Sequence, residues 1–159
     1  MRPLPNQKIS KEVLPVWRII GCFETLIYGC LPIGYFFLLY YFEFPTWIFW
    51  LLIIMVIVIG ILKVAIIPTL LWKKWRYEVY ESEVDLQFGI LVVKRVLIPM
   101  IRVQHVDTRQ GPLLRRYGLA TVTITTAATV HQIPALSEDL ASELRDQISK
   151  LATEADEDV

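Results

Sequence analysis

Two long apolar runs, residues 19–42 and 47–72, dominate the first half of the chain, separated only by Glu43, Phe44, Pro45 and Thr46. A helix rises about 1.5 Å per residue, so runs of roughly 24 residues reach ~36 Å, enough to cross a bilayer. So short a connection sends the second run straight back along the first. The pattern predicts a transmembrane helical hairpin with both chain ends on one side. Beyond residue 75 continuous apolarity gives way to alternation. Tyr77 and Val79 alternate with Arg76, Glu78 and Tyr80, and Val84, Leu86 and Phe88 alternate with Asp85 and Gln87. These read as two strands joined by a tight turn at Glu81-Ser82.

The alternation continues. Gly89 ends the second strand, residues 90–98 form a third that Pro99 breaks, and residues 100–106 form a fourth. Gly111-Pro112 opens an irregular stretch closed by Gly118. Residues 119–126 make a fifth strand, with Val122 and Ile124 opposite Thr121, Thr123 and Thr125. The sixth, residues 129–133, ends at Pro134. Ser137 then caps a helix with Glu138 and Asp139 in its first turn, where the dipole favours acids. Leu140, Leu144, Ile148 and Leu151 form its apolar stripe. Consecutive antiparallel strands closed by one amphipathic helix predict a small curled sheet or barrel plugged by that helix. The expected organisation is an N-terminal segment (1–18), the hairpin (19–72), a small domain (73–152) and a frayed acidic tail (153–159). The fold class is thus an α+β membrane protein.

Basic residues orient the hairpin. Arg2, Lys8, Lys11 and Arg18 precede the first run, Lys73, Lys74 and Arg76 follow the second, and the turn carries none. The positive-inside rule places both termini in the cytoplasm, on the inner side of a plasma membrane. Tyr40, Tyr41, Phe42, Phe44, Trp47 and Trp50 mark the outer boundary; Trp17, Trp72 and Trp75 mark the inner one. The first run is too long and too aromatic for a cleaved signal peptide, and lacks a small-residue cleavage site.

Composition adds less. The 55% hydrophobic content reflects the hairpin, leaving enough polar chain for one small domain. Cys22 and Cys30 lie on one predicted helix and read as small apolar packers. Zero net charge conceals a polarity. Residues 86–116 hold Lys94, Arg95, Arg102, Arg109, Arg115 and Arg116 against Asp107, whereas residues 137–159 are strongly acidic. One face of the domain suits anionic lipid and the other does not.

Glu24 and Lys63 are the ionisable residues within the spans. Antiparallel helices put them at similar depth, near the inner leaflet. An interhelical pair offsets the cost of burying charge in lipid; the competing reading has Lys63 snorkelling to the headgroups and Glu24 reaching interfacial water. A partner subunit is a third destination. Gly21, Thr25 and Gly29 repeat every fourth residue, a small-residue stripe that allows close helix approach, within the hairpin or to a neighbour. Pro32 is expected to kink the first span. Two helices cannot enclose a pore.

The stretch from Ile98 to Thr108 (IPMIRVQHVDT), then Gly111 to Ala120 (GPLLRRYGLA), and Ile133-Pro134-Ala135-Leu136 leading into the helix, resembles the bacterial pleckstrin-homology (PH) domain of YdbS-like membrane proteins. The resemblance covers nearly the whole chain. It implies a PH-like antiparallel β-barrel closed by the C-terminal helix on the cytoplasmic face, often beside a larger membrane protein carrying several such domains. It implies no catalytic activity. Six strands are legible where a full PH barrel has seven. The first hairpin loop, Glu81-Ser82-Glu83, is acidic, unlike the basic loop of phosphoinositide-binding PH domains.

Chemistry-bearing motifs are sparse. His105 and Asp107 share a strand face, but no third ligand is spaced to complete a metal site, and neither histidine has a nucleophile and orienting partner around it. Hydrogen bonding is the expected role of His105 and His131. No cofactor, metal or catalytic site is expected. Arg102, Arg109, Arg115 and Arg116, with Lys73 and Lys74 at the membrane, are candidates for a face toward lipid or an acidic partner; the alternative is a solvated surface in which Arg102 or Arg109 pairs Asp107 or Glu78. Nucleic acid is disfavoured, because no aromatics interleave these bases on a recognition element. The aliphatic third strand needs cover on one face, from the C-terminal helix, the membrane or another PH-like domain. The expected function is a non-enzymatic membrane-anchored scaffold or binding subunit working with another PH-domain membrane protein, with self-association also compatible. The alternative is an anionic-lipid headgroup sensor or an accessory subunit of an export or resistance system.

Overall fold

The computed structural model describes residues 4–157. Arg2 of the basic N-terminal count and the last two residues of the acidic tail lie outside them. The chain forms two compact units, one running from Leu14–Leu70 and the other made of the residues up to Val13 together with those from Leu71 onward.

Within the first unit, helix α1 (Val13–Tyr41) runs through Pro32 without a break. After the turn, helix α2 (Thr46–Ile61) passes through a π-helical turn at Leu62–Ile66 into helix α3 (Ile67–Lys74). Together they give two apolar helices of 29 residues each, Val13–Tyr41 and Thr46–Lys74, long enough to cross a membrane. Their aliphatic and aromatic side chains are largely exposed, as suits helices whose solvent is lipid. The Tyr35 hydroxyl donates to the Pro45 carbonyl at 3.1 Å and pins the connecting turn.

The second unit holds six strands: β1 (Arg76–Val79), β2 (Glu83–Phe88), β3 (Lys94–Pro99), β4 (Val103–Arg109), β5 (Leu119–Thr126) and β6 (Val130–Ser137). A 3-10 turn, Met100–Arg102, joins β3 to β4. A short helix α4 (Pro112–Arg116) lies between β4 and β5, and helix α5 (Glu138–Glu157) follows β6. The strands make two antiparallel sheets, β1-β2-β3 and β4-β5-β6. The expected closed barrel is therefore corrected: no hydrogen-bonded ladder joins the sheets among the described residues. The chain leaves the first sheet at Pro99, which has no N–H to offer a ladder. The Met100 N–H turns back to the Ser82 carbonyl at 2.9 Å.

Further boundaries differ from the sequence pattern. Residues 90–93 form a loop rather than the start of β3, and β4 begins at Val103 because Met100–Arg102 winds into the 3-10 turn. Strand β6 runs past Pro134 to Ser137. It tolerates the proline because it is an edge strand; its register shifts opposite residues 120–122, and Ala135 takes φ 52. Helix α5 buries Ala141, Leu144 and Ile148 rather than the stripe that included Leu140 and Leu151, and it stays helical to Glu157 instead of fraying at 153.

The N-terminal segment is not a separate element. Gln7 pairs with Tyr77 across the free edge of β1, the two exchanging backbone hydrogen bonds of 3.2 and 3.0 Å. Ile9 and Val13 are buried in the core with Tyr77, Leu86, Met100, Ile124 and Ile148. The Ser10 N–H donates to the Ala135 carbonyl at 3.0 Å, which ties the same segment to β6. A strand-like stretch thus occupies the edge where six strands had seemed one short, and the whole hairpin is inserted after it.

Candidate functional site

In the hairpin, Glu24 and Lys63 come together: the Lys63 ammonium donates to Glu24 Oε2. The same ammonium lies 5.0 Å from the centre of the Tyr28 ring, where a cation is attracted by the ring's negative face. Lys63 sits in the π-helical turn, a local widening often found where a side chain must be re-aimed. Gly21 and Thr25 form the facing surface. A Cβ on Gly21 would stand 2.8 Å from the Lys63 carbonyl oxygen, and one on Gly60 would stand 3.0 Å from Thr25 Cγ2. The Thr25 hydroxyl is turned back to the Gly21 carbonyl at 2.7 Å, so its methyl meets the other helix. Gly29 has nothing within 4 Å of an added Cβ; only the first two members of the stripe make the close approach.

In the sheet unit the basic candidates divide between two ends. The chain enters the first sheet at Arg76, which pairs with Gln87, so the loop of residues 89–93 lies at the entry end and the 80–82 turn at the far end. Five residue steps of β2 separate them by about 17 Å. Arg102 belongs to the far end, because the neighbouring Met100 bonds Ser82. Arg109 ends β4 opposite Thr121, beside the end of β6 that Ser10 holds, and Arg115 and Arg116 close α4 between them. These three are exposed, as are Lys73 and Lys74 at the helix end from which the chain enters. Arg109 reaches Asp107 at 3.4 Å across an exposed surface, a pairing worth little. The Trp72 indole donates to the Ile9 carbonyl at 3.1 Å, with the Lys8 and Lys11 ammonium groups 5.9 and 5.5 Å from its ring centre. Entry and exit of the hairpin are thereby fastened to each other.

The two histidines do not converge. His105 pairs with Thr125 and His131 with Ile124, adjacent residues of β5, so the rings project to opposite faces of one sheet. His131 Nε2 is 2.8 Å from the Thr129 hydroxyl. One ion pair escaped the sequence reading. Asp85, whose side chain is 1% exposed, is gripped by Arg95 through Nε at 3.0 Å and Nη2 at 2.6 Å. The carboxylate raises the guanidinium pKa further above its ordinary value.

Where β3 and the 3-10 turn pass the β5–β6 turn, the gap between the sheets opens into a groove of about 440 Å³. Leu97, Pro99, Ile101, Arg102, Thr129 and His131 are among its walls, and Leu97 and Ile101 are exposed. It lies at the far end of the first sheet.

The profile of the bacterial PH domain family matches residues 29–152, a stretch that takes in most of the hairpin as well as both sheets and α5. The chain belongs to that family. The bacterial PH domain here is also 50% identical, over all 159 residues and the full length of both chains, to the UPF0699 transmembrane protein YdbS of Bacillus subtilis (strain 168). No solved structure matches. This is therefore a transmembrane protein with a bacterial PH domain.

Proposed function

We propose that this chain is a non-enzymatic, membrane-anchored binding subunit. Its two spans hold both termini in the cytoplasm, and its bacterial PH domain docks the cytoplasmic PH-like domain of a second membrane protein. The orientation rests on Lys8, Lys11, Arg18, Lys73 and Lys74 flanking the inner ends of the spans, with no base in the outer turn. The docking reading rests on one observation, the open groove between the sheets. A barrel that fails to close leaves strand edges and apolar side chains available, and exposed edges take up added strands. Leu97 and Ile101 supply the apolar contact and Arg102 a charge that suits an acidic partner. Extraction of the full-length protein in mild detergent, followed by affinity capture from its native membrane, tests this. A second membrane protein is expected in stoichiometric amount and is expected to be lost from Leu97→Glu and Ile101→Glu variants that still insert. Retention of the partner by both variants, or capture of the chain alone, overturns docking at the groove; a homodimer lost in the same variants would replace the partner with a second copy.

The second reading, an anionic-lipid headgroup sensor or an accessory subunit of an export or resistance system, is favoured by Arg109, Arg115 and Arg116 standing at the same end as Lys73 and Lys74. Bases near an anionic leaflet gain roughly 1 kcal/mol each. Anionic phospholipid that stays bound to the purified protein under native mass spectrometry, and leaves on Arg115→Glu/Arg116→Glu substitution, supports it. Equal retention by that variant removes it.

A further inference from the structure

The loop of residues 89–93 exposes more apolar surface than any solvated turn needs. Leu91 is 97% and Val92 71% exposed, and Val93 beside them is exposed too. A mobile turn with such a tip is an aggregation hazard, yet this one is held. Gly89 takes φ +115, and a Cβ there would lie 2.1 Å from the Val92 carbonyl oxygen. Only glycine permits that closure. At the base of the loop, Phe88 stacks on Trp75 with ring centres 5.5 Å apart, and Trp75 directly follows the last residue of α3. The first residue after the loop is the exposed Lys94.

We infer that this loop is a second membrane contact, its Leu91-Val92 tip seated in the inner-leaflet interface. Connectivity argues for it. β1 starts two residues after the helix ends at Lys74, and the antiparallel pairing of β1 with β2 brings residues 87–88 back to that start. The loop therefore leaves the sheet at the level where Lys73, Lys74 and Trp75 mark the boundary of the second span. The N-terminal segment reaches the same level, because the Ile9 carbonyl takes the indole N–H of Trp72, three residues before Trp75. An apolar tip followed by a lysine has the composition of an interfacial anchor, which reaches about 5–10 Å into the headgroup and acyl boundary. The occupant is lipid, because the tip is continuous with a boundary that lipid already surrounds. The inference does not depend on partner docking, which concerns the opposite end of the sheet.

The test places an environment-sensitive nitrobenzoxadiazole label at Leu91→Cys, and separately at Val92→Cys, in full-length protein carrying Cys22→Ala and Cys30→Ala and reconstituted in lipid nanodiscs. Glu81→Cys, at the far turn, is the reference. Labels at 91 and 92 are expected to emit to the blue of the label at 81, to resist iodide severalfold better, and to be quenched by phospholipid carrying a doxyl group high on its acyl chain. Equal access of iodide to all three positions overturns the inference. So does protection from iodide without quenching by the doxyl lipid, which would mean that protein covers the loop. Either labelled site suffices if the other variant does not fold.

Discussion

Gly21→Ala and Gly29→Ala are the same chemical change on the same helix, eight residues apart, yet their surroundings differ. At Gly21 the new methyl carbon would stand 2.8 Å from the Lys63 carbonyl oxygen, a backbone atom that cannot rotate away; at Gly29 it meets nothing within 4 Å. Ordinary contact begins at about 3.5 Å, so the helices must part by roughly 0.7 Å at Gly21. Over-packing of this kind costs about 1–3 kcal/mol. Both substitutions share the helix-propensity gain of alanine over glycine, up to about 1 kcal/mol, so it cancels in the comparison. Hairpin opening is then expected to be favoured in Gly21→Ala over Gly29→Ala by about 1–3 kcal/mol, roughly five- to more than a hundredfold in the equilibrium constant. Gly60→Ala should fall between them, since the atom it meets is the Thr25 methyl at 3.0 Å. The measurement is titration of the full-length protein in mixed micelles with sodium dodecyl sulfate, followed by near-ultraviolet circular dichroism. Indistinguishable midpoints for the position 21 and 29 variants would refute the close crossing.

Glu24→Gln and Lys63→Met should each lower accumulation in the membrane, while the double variant should be no worse than the more harmful single one, because each single change strands a charge in lipid; independent, additive losses in a quantitative membrane blot would count against the pair. Ile148→Ala is expected to destabilise the sheet unit by about 2–5 kcal/mol, whereas Leu140→Ala, at an exposed position of α5, should stay within roughly 0.5 kcal/mol; thermal unfolding that ranks the two alike would contradict the observed helix face. Burial raises the pKa of the Tyr77 phenol above its ordinary value. A raised folded-state pKa means that the native protein holds this proton more tightly, so stability is complete below the unfolded value of about 10 and falls as pH climbs through the folded one. Tyr77→Phe should lose less stability than the wild type between neutral pH and the alkaline range, and parallel pH profiles would exclude Tyr77 as a source of alkaline lability.

The two long apolar helices were legible because unbroken apolar runs of this length suit helices whose backbone bonds are all internal, and the four residues between them leave room only for a turn. Strand β5 was equally legible, since Val122 and Ile124 alternate with threonines on a fully paired central strand. What failed depended on contacts distant in sequence. Residues 90–93 look like strand by composition, and only their position at the end of a sheet beside the helix exit makes them a loop. Once the third strand was taken to start at residue 90, the pairing of Asp85 with Arg95 was hidden. It needs Arg95 opposite Gln87, two residues from Asp85 on the same face, a register that follows only from a loop ending at 93. Arg102 was grouped with Arg109, Arg115 and Arg116 by proximity in sequence, although β4 carries the chain from one end of its sheet to the other between them.

The N-terminal segment changes what the hairpin is. A domain hung from the end of a second span by one connection can rotate about it and drift as far as the linker allows, and its effective concentration at the membrane is set by linker length. Here the segment before the first span lies on the free edge of β1, and its Ile9 carbonyl receives the indole of Trp72 from the end of the second. The spans are an insertion within the PH unit, joined to it at both ends, and the sheet edge is complete only when the residues on either side of the insertion meet. Ordering one side therefore favours ordering the other. Deleting residues 4–10 would consequently expose the edge of β1, strip cover from the core at Ile9 and leave one tether, so its effect on the PH unit should exceed anything expected of an unstructured leader. Limited proteolysis of the truncated protein in nanodiscs measures that directly: cleavage within β1 and β2 at a rate unchanged from the full-length chain would show the segment to be an ornament on an independently stable domain.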